Sequence, residues 1–488
     1  MDYIVVYWGA PTPSASNAPT NNVAVIGRDA TYTGTDKSFK ISTLTELEDA
    51  GVSTGSLLYK TCTSLFKQKN VGSLEITVVP YPGALASQSF ADIESDGSVD
   101  GSNGIFYTPN RPVTAISSVK VDFNDGSGMI TQTNGAHFTK ETLGSLYSGK
   151  FTFGGTGYGP LDTAGHPYSG QVPIGSHVYS SYTTSVFQDV FNVLSEDDKD
   201  IQLEVYSYNV AEPVSYTDNA ATSLFSDYKQ INSHCAAVSS SRKWRIGAVA
   251  LPSAAKPNAS ASAYGGAGTW NQIRDEIGQS RNFVAIKANP TATLGIADDD
   301  PAGCLAGMIV TRNPHDTLTL QEMVISQITY DSFTYMKGWE TAQVITLYKD
   351  YLDPDLAACL SYGFTFGTNR EARINNVRSK FITARKLYSA LYALLKTGTV
   401  KYNATGMSSA EGNIEATLRQ CMQLRYIDGI VSIVTLGKEL FTVPYTTLTE
   451  TQKALYAQYK NSGVFHHIIT YIWDTAVEHF QFDSVLEV

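Results

Sequence analysis

Eight histidines (His137, His166, His177, His234, His315, His466, His467 and His479) are the residues best suited to acid–base or metal chemistry in this chain. His466 and His467 are adjacent, so on a strand they point to opposite faces and do not chelate together. No HExxH, GxSxG or paired-carboxylate pattern occurs. Asp298, Asp299 and Asp300 precede Pro301; without a defined loop three consecutive carboxylates do not converge on one ion, and the run reads as a helix N-terminus. Gly154 to Gly159 resembles a phosphate loop in glycine content only, with no GK[ST] ending. Gly27 and Gly34 do not complete a GxGxxG. The residues therefore argue against an enzyme and call for no cofactor or metal.

The cations are better organised. The stretch Arg370 to Lys396 reads as one helix about 40 Å long, with Ile374, Val377, Phe381, Ala384, Tyr388, Leu391 and Leu395 recurring at helical spacing. Gly398 supplies a stop. Arg370, Arg373, Arg378, Lys380, Arg385, Lys386 and Lys396 share it with one acid, Glu371, on a chain of net charge −11. Arg378, Arg385 and Lys396 line one edge of the apolar stripe, Arg373 and Lys380 the other. Two readings stand: a solvated flank beside a core stripe, or a docking surface for an acidic partner.

The elements that position this helix follow from periodicity. Tyr3 to Trp8 is a run of strand formers, followed by a Pro-, Ser- and Asn-rich leash over Gly9 to Thr20. It either pairs with another molecule or completes its own sheet. Val23 to Gly27 reads as a buried strand. An acidic helix start lies near Glu46 to Ala50, a helix at Ser56 to Lys67, and a strand at Leu74 to Val79 closed by Pro80 and Pro82. Strand, helices, strand predicts a crossover onto a parallel pair. Residues 83–182 hold 16 of the 39 glycines and 4 of the 35 basic residues, with short alternating runs between turns, the pattern of an inserted all-β domain.

Alternation of helix and strand resumes after Thr184. Helices are expected over Val186–Leu194, Leu224–Val238 and Trp270–Ile277, and strands over Ile201–Tyr206, Trp244–Leu251 and Phe283–Ile286. Residues 302–311 are small and apolar, fit for close packing. A helix over Trp339–Tyr351 and a strand pair over Leu356–Phe366 lead into the basic helix. Ser408 to Glu411 has the form of a capping box, weakened by Gly412. Gly429–Leu436, Leu440–Val443 and Ile468–Trp473 read as strands and Thr449–Lys460 as a helix. In the tail, Phe480, Phe482, Leu486 and Val488 alternate with polar residues as a half-buried strand.

A length of 488 residues suggests roughly three domains. Hydrophobic residues at 42% and charged residues at 17% describe a globular chain. Its acidic balance argues against wrapping phosphate backbones, so no nucleic acid is expected. Five scattered cysteines with no CxxC spacing read as buried thiols in a reduced compartment, or as one inter-subunit disulfide. Met1-Asp2-Tyr3 lacks a basic n-region and no window approaches a membrane span, so a cytosolic origin without membrane insertion is expected.

Three stretches resemble the contractile-tail sheath proteins of myophages, R-type pyocins and related injection machines. Asn21 to Gly27 with Ile41 to Leu47 and the Leu74–Val79 strand is similar to that family's opening strand, helix and return strand. Pro301 to Ile309 is similar to its Pro-then-Ala-Gly segment. Gly363 to Arg370 is similar to the strand before its basic helix, though Thr368-Asn369-Arg370 stands where the family usually has Arg-Thr.

The resemblance implies a structural protein of α/β (α+β) multidomain class, a mixed-sheet core with an inserted all-β domain and terminal β-arms. The implied parts are an arm and linker (1–20), core (21–82), outer insertion (83–182), core (183–300), tube-facing domain (301–473) and second arm (474–488). It further implies hexameric rings stacked around an inner tail tube, with baseplate and tail-terminator proteins as further partners. Contraction would proceed by rearranged interfaces without nucleotide hydrolysis, in a virion tail assembled in the host cytoplasm. Tyr3, Val5, Tyr7, Phe480, Phe482 and Leu486 are the expected inter-subunit arm residues, and Arg373, Arg378, Lys380 and Arg385 the expected tube contacts. A secreted or surface-lattice adhesin is the alternative, supported by the Gly-rich insertion.

Overall fold

A computed structural model describes residues 4–5 and most of 22–473; the longer stretches outside that description are 6–21, 82–87, 154–171, 196–200, 208–220, 252–276, 291–298, 349–357 and 474–488. In chain order the first elements are β1 (Ile4–Val5), β2 (Val23–Arg28), β3 (Phe39–Ile41), α1 (Leu44–Asp49), α2 (Leu57–Phe66) and β4 (Ile76–Tyr81). A run of short strands follows: β5 (Ser89–Glu94), β6 (Ile105–Tyr107), β7 (Val113–Asp122), β8 (Met129–Gln132), β9 (Phe138–Leu143), β10 (Leu146–Phe153) and β11 (His177–Thr184). The α/β alternation resumes with α3 (Gln188–Ser195), β12 (Leu203–Tyr206), α4 (Ala221–Ser240), β13 (Ile246–Ala250), β14 (Phe283–Lys287) and β15 (Asn289–Pro290). Then come α5 (Pro301–Val310), β16 (Ile328–Thr329), α6 (Phe333–Thr341), β17 (Ile345–Tyr348) and β18 (Cys359–Leu360). The chain closes with α7 (Ile374–Lys396), α8 (Ala404–Gln423), β19 (Ile427–Thr435), α9 (Lys438–Thr442), α10 (Glu450–Ser462) and β20 (His467–Trp473).

The chain divides into two compact units, one of residues 21–311 and 320–372, the other of 1–20, 312–319 and 373–488. The first is built on an eight-stranded sheet of order β18-β17-β14-β13-β12-β2-β4-β3. Its six inner strands are mutually parallel and both edge strands antiparallel. Strands covered on both faces must be continuously apolar, which is why Val23–Gly27, Ile246–Ala250 and Phe283–Ile286 are buried throughout. The β2–β4 pair is parallel, as the strand–helices–strand pattern predicts. β4 runs through Pro80 to Tyr81; β3 pairs only as far as Val78, so Pro80 interrupts no ladder on that side.

The expected helix cap at Asp300 is present. Its carboxylate accepts from the Ala302 N–H at 2.9 Å and Pro301 opens α5, every residue of which is buried. Close packing on α2 is the reason for two glycines. A Cβ at Gly303 would lie 2.4 Å from the Thr61 carbonyl oxygen, and one at Gly307 2.6 Å from that of Leu65. A buried charge also sits in the sheet: Glu204 on β12 accepts from Arg245 Nη1 at 2.6 Å, from Tyr206 at 2.8 Å and lies 3.2 Å from His234. β5 to β11 form a second, seven-stranded sheet over a core of Phe106, Phe138, Phe151 and Phe153. It belongs to the same compact unit.

Several elements differ from expectation. The helix read over Trp339–Tyr351 ends at Thr341, because Gln343 turns to φ 59° and Val344 closes the turn on the Trp339 carbonyl. The β-branched run behind it becomes β17 and joins the main sheet. Of Leu356–Phe366 the described residues, 358–366, contribute one short strand, β18, on β17. Residues 301–311 and 320–372 thus belong with the α/β unit, not with 373–488 as a 301–473 domain would have it. Ser408 does not start a helix: Asn403 caps α8 five residues earlier by accepting from the Gly406 N–H. Leu440–Val443 is mostly helix α9, entered through Gly437 at φ 75°. The basic helix begins at Ile374, after a 3-10 turn over Asn369–Ala372. The helix over Trp270–Ile277 falls almost wholly outside the described residues.

Candidate assembly surface

The smaller unit contains a three-stranded sheet of order β1-β20-β19. β20 is central and antiparallel to both neighbours, with Val5 opposite Ile468, Ile4 opposite Ile469, and Ile433 also opposite Ile469. Alternation sets two faces. His467 and Ile469 are buried, Ile469 packing with Met407, Ile414, Leu418 and Ile427, while Ile472 is 44% exposed on the other side. β1 is the expected N-terminal strand, and in the single chain it lies on β20 of the same molecule. Tyr3, Tyr7, Phe480, Phe482 and Leu486 lie outside the described residues, and of Val5 only the pairing is described.

β19 is an edge strand, with no described strand on its outer side. It carries exposed apolar residues, Val431 at 60% and Val434 at 47%. Natural sheets blunt such edges with charge, proline or a bulge against unwanted pairing; β19 has two register irregularities against β20 but keeps its valines. A groove of about 600 Å³ runs between it and α8, bounded by Glu411, Gly412, Glu415 and Met422 on the helix and Ile430 and Ile433 on the strand.

The groove's charges are internally matched. Glu411 accepts from Thr435 Oγ1 at 2.6 Å and pairs with Lys438; Glu415 pairs with Arg419 one turn on. Burial pushes the Glu411 carboxyl up, but the Lys438 and Thr435 hydrogen bonds outweigh it and the net shift is downward. An ionised Glu411 only accepts, so Thr435 must donate its one hydroxyl proton to it. Thr435 Oγ1 then accepts from His467 Nδ1, 2.8 Å away, which fixes the ring's tautomer.

The expected tube contacts fare unequally. Arg378 is buried, its Nη2 donating to the Arg312 carbonyl at 3.1 Å, with Asp316 and Tyr426 close enough to influence it. Burial brings its pKa down to about 10. It is a cross-link inside the smaller unit, not a surface cation. Arg373, Lys380 and Arg385 are partly exposed, and burial pulls Arg385 downward. Further along α7, Tyr388 stacks on Tyr392 at 6.4 Å and Lys396 lies 4.8 Å over the Tyr392 ring.

Other chemistry is sparse. Among the described residues no three His, Cys, Asp or Glu are placed to hold a metal, and no helix is long and apolar enough to cross a membrane. All five cysteines are buried free thiols. The sequence reading missed the open edge of β19 and the groove. The signal for them was Val431 and Val434 in a strand without a flanking Lys or Pro, together with an otherwise unexplained Gly412.

No protein-family model matches the sequence, and no curated protein matches it. Among solved structures, a chain in the "Cryo-EM structure of the anti-feeding prophage (AFP) baseplate, 6-fold symmetrised" superposes with a TM-score of 0.52 at 9% identity, covering 98% of this chain and 97% of that one. A chain of the AFP "helical sheath in contracted state" gives 0.49 at 11% identity over 98% and 96%. The chain thus shares its fold along nearly its whole length with a chain of that baseplate structure.

Proposed function

We propose that this protein is a structural subunit of a contractile injection machine, a sheath protein that polymerises as stacked hexameric rings around an inner tube. The observation that carries the reading is the three-stranded sheet. One of its edges is filled by a two-residue strand, and the other is an apolar strand beside a groove, with no described strand beyond it. A strand that pairs with its own β20 makes the same backbone hydrogen bonds when it pairs with a neighbour's. Each is worth about 0.5–1.5 kcal/mol net, so exchange between copies is close to neutral in the ladder itself. Residues 6–21 reach about 50 Å when extended, ample for an adjacent copy. The tail at 480–488 is the counterpart for the β19 edge.

Linked this way, subunits stay tied by main-chain ladders while their larger bodies rotate, and contraction draws on rearranged interfaces without nucleotide hydrolysis. Arg373, Lys380 and Arg385, with the Tyr388–Tyr392–Lys396 ladder, form the proposed surface toward an acidic tube; Arg378 leaves that set because it is buried. Exposed ion pairs worth about 0–1 kcal/mol each suit a contact that must release. Baseplate and tail-terminator proteins would engage the ends of the polymer, and the particle is a virion tail or related injection device. Negative-stain microscopy of the purified chain tests the reading. Hollow tubes that pellet, and that disappear on deleting Met1–Trp8 or Phe480–Val488 while the monomer stays folded, are expected. A dispersed monomer at all concentrations, or tubes surviving both deletions, would refute it.

A further inference from the structure

In the α/β unit, Glu204 of β12 accepts four hydrogen bonds in a site closed to water. Its Oε1 takes Arg245 Nη1 at 2.6 Å and His234 Nε2 at 3.2 Å. Its Oε2 takes the Tyr206 hydroxyl at 2.8 Å and the Cys235 thiol at 3.5 Å. All five residues are buried. An ionised carboxylate has about four lone-pair sites and no proton to give. Glu204 is therefore full, and a neutral His234 must carry its proton on Nε2. Phe191 of α3 stacks on the imidazole at 4.0 Å, within 4° of parallel, and offers no hydrogen-bond acceptor. Arg245 also donates through Nη2 to the Leu194 carbonyl at the end of α3. Thus α3, α4, β12 and the start of β13 are tied together at one carboxylate.

We propose that His234 is an acid-operated catch: taking up a second proton expels its ring from this cluster and frees α4 from β12 and α3. With His234 neutral the site is balanced, one carboxylate against one guanidinium. A proton added at Nδ1 would leave a net positive charge in a dry interior, where an unmatched charge is costly. Glu204 has no lone pair left to accept the new N–H. Burial accordingly pulls the His234 pKa down; Glu204 restores it only in part, because Arg245 opposes a second cation. The sign follows from the two states. Above the ordinary imidazole value of 6.5, neither the closed nor the opened form is protonated and the catch holds. As pH falls below it, the opened form binds a proton that the closed form refuses, so opening is favoured. The other titratable groups at the ring are Tyr206 and Cys235, both held protonated by burial and by the Glu204 charge.

Hydrogen exchange of the full-length chain at pH 7.5 and 5.0, with times scaled for the intrinsic rate, tests the catch. Peptides covering 228–240 of α4 are compared with those covering α2. In α4, opening should become about five- to thirtyfold more frequent at pH 5.0, the upper limit being set by an ordinary imidazole in the opened state. In α2, which does not touch the cluster, protection should not fall. His234→Gln keeps a side-chain N–H for Glu204 and cannot titrate, so it should abolish the response of α4. Equal protection of α4 at both pH values, an equal loss in both helices, or a response that survives in His234→Gln overturns the proposal. If His234→Gln does not fold, the two helices of the wild-type chain still decide, since general acid loosening would act on both. Neither readout requires tubes to form, so the result is independent of the sheath reading.

Discussion

The α/β unit and the smaller unit treat the same kinds of residue in opposite ways. Around α5 and α2, glycines are there because a backbone carbonyl of the same chain occupies the space. The buried Glu204 is matched by Arg245, Tyr206 and His234, again within the unit. In the smaller unit, Gly412 faces no described atom, β19 has no described strand on its outer side, and Val431 and Val434 remain exposed. The described groups of one unit are matched within it; the other leaves an exposed apolar strand and a helix glycine without a neighbour among the described residues. Substitutions in the first should act on stability, and those in the second on assembly.

The largest expected effect is at Glu204. Glu204→Ala leaves Arg245 charged and buried without its carboxylate, a loss of about 3–5 kcal/mol, read as a fall in urea midpoint. A loss below 1 kcal/mol would break the idea that this unit is closed by its own pairs.

Asp300 should act in the other direction. Burial pushes its carboxyl up to about 6, against opposing hydrogen bonds from Thr61 and the α5 N-terminus. A raised carboxyl pKa favours the folded state fully only below its unfolded value near 4, and that contribution disappears as pH rises to about 6. The Asp300→Asn variant keeps a capping oxygen and removes the charge. It should therefore gain on the order of 2–3 kcal/mol at pH 7 and little at pH 4, measured by denaturation at both. Equal gains at the two pH values would contradict this.

Gly303→Ala comes next, with about 1–3 kcal/mol lost to overpacking against Thr61, and Tm reports it. The smallest stability effect, under about 0.5 kcal/mol, belongs to Val431→Lys. That substitution places a charge on an open edge, so the monomer should be untouched while polymer is lost. A stability loss comparable to that of Gly303→Ala would mean β19 is already covered within its own chain.

These sites also show what the sequence made legible. The buried parallel strands were readable because both-face burial leaves an unbroken apolar run, and the α5 start because Asp300-Pro301 is a local cap. Glu204 was not, since a single acid in Leu-Glu-Val-Tyr looks like any alternating strand until Arg245 is placed beside it. A helical wheel gives the angle of Arg378, at the edge of the apolar stripe, but not its partner, the Arg312 carbonyl. Val344–Tyr348 follows the Trp339 helix with no Gly or Pro between, and the left-handed turn at Gln343 that separates the two carries no signal in the sequence. The edge of β19 was hidden for a different reason. Its strand was read, but whether a strand is central or at an edge depends on residues far away.

The most direct measurement concerns β1 and β20. A Val5→Cys/Ile468→Cys double variant places its two cysteines at directly opposed positions of the described pair. Oxidised as assembled particles and then denatured without reductant, it should run as covalent multimers, each joined to the next through a neighbour's β20. Particles that yield only intrachain disulfides, with every strand on its own sheet, would contradict the account.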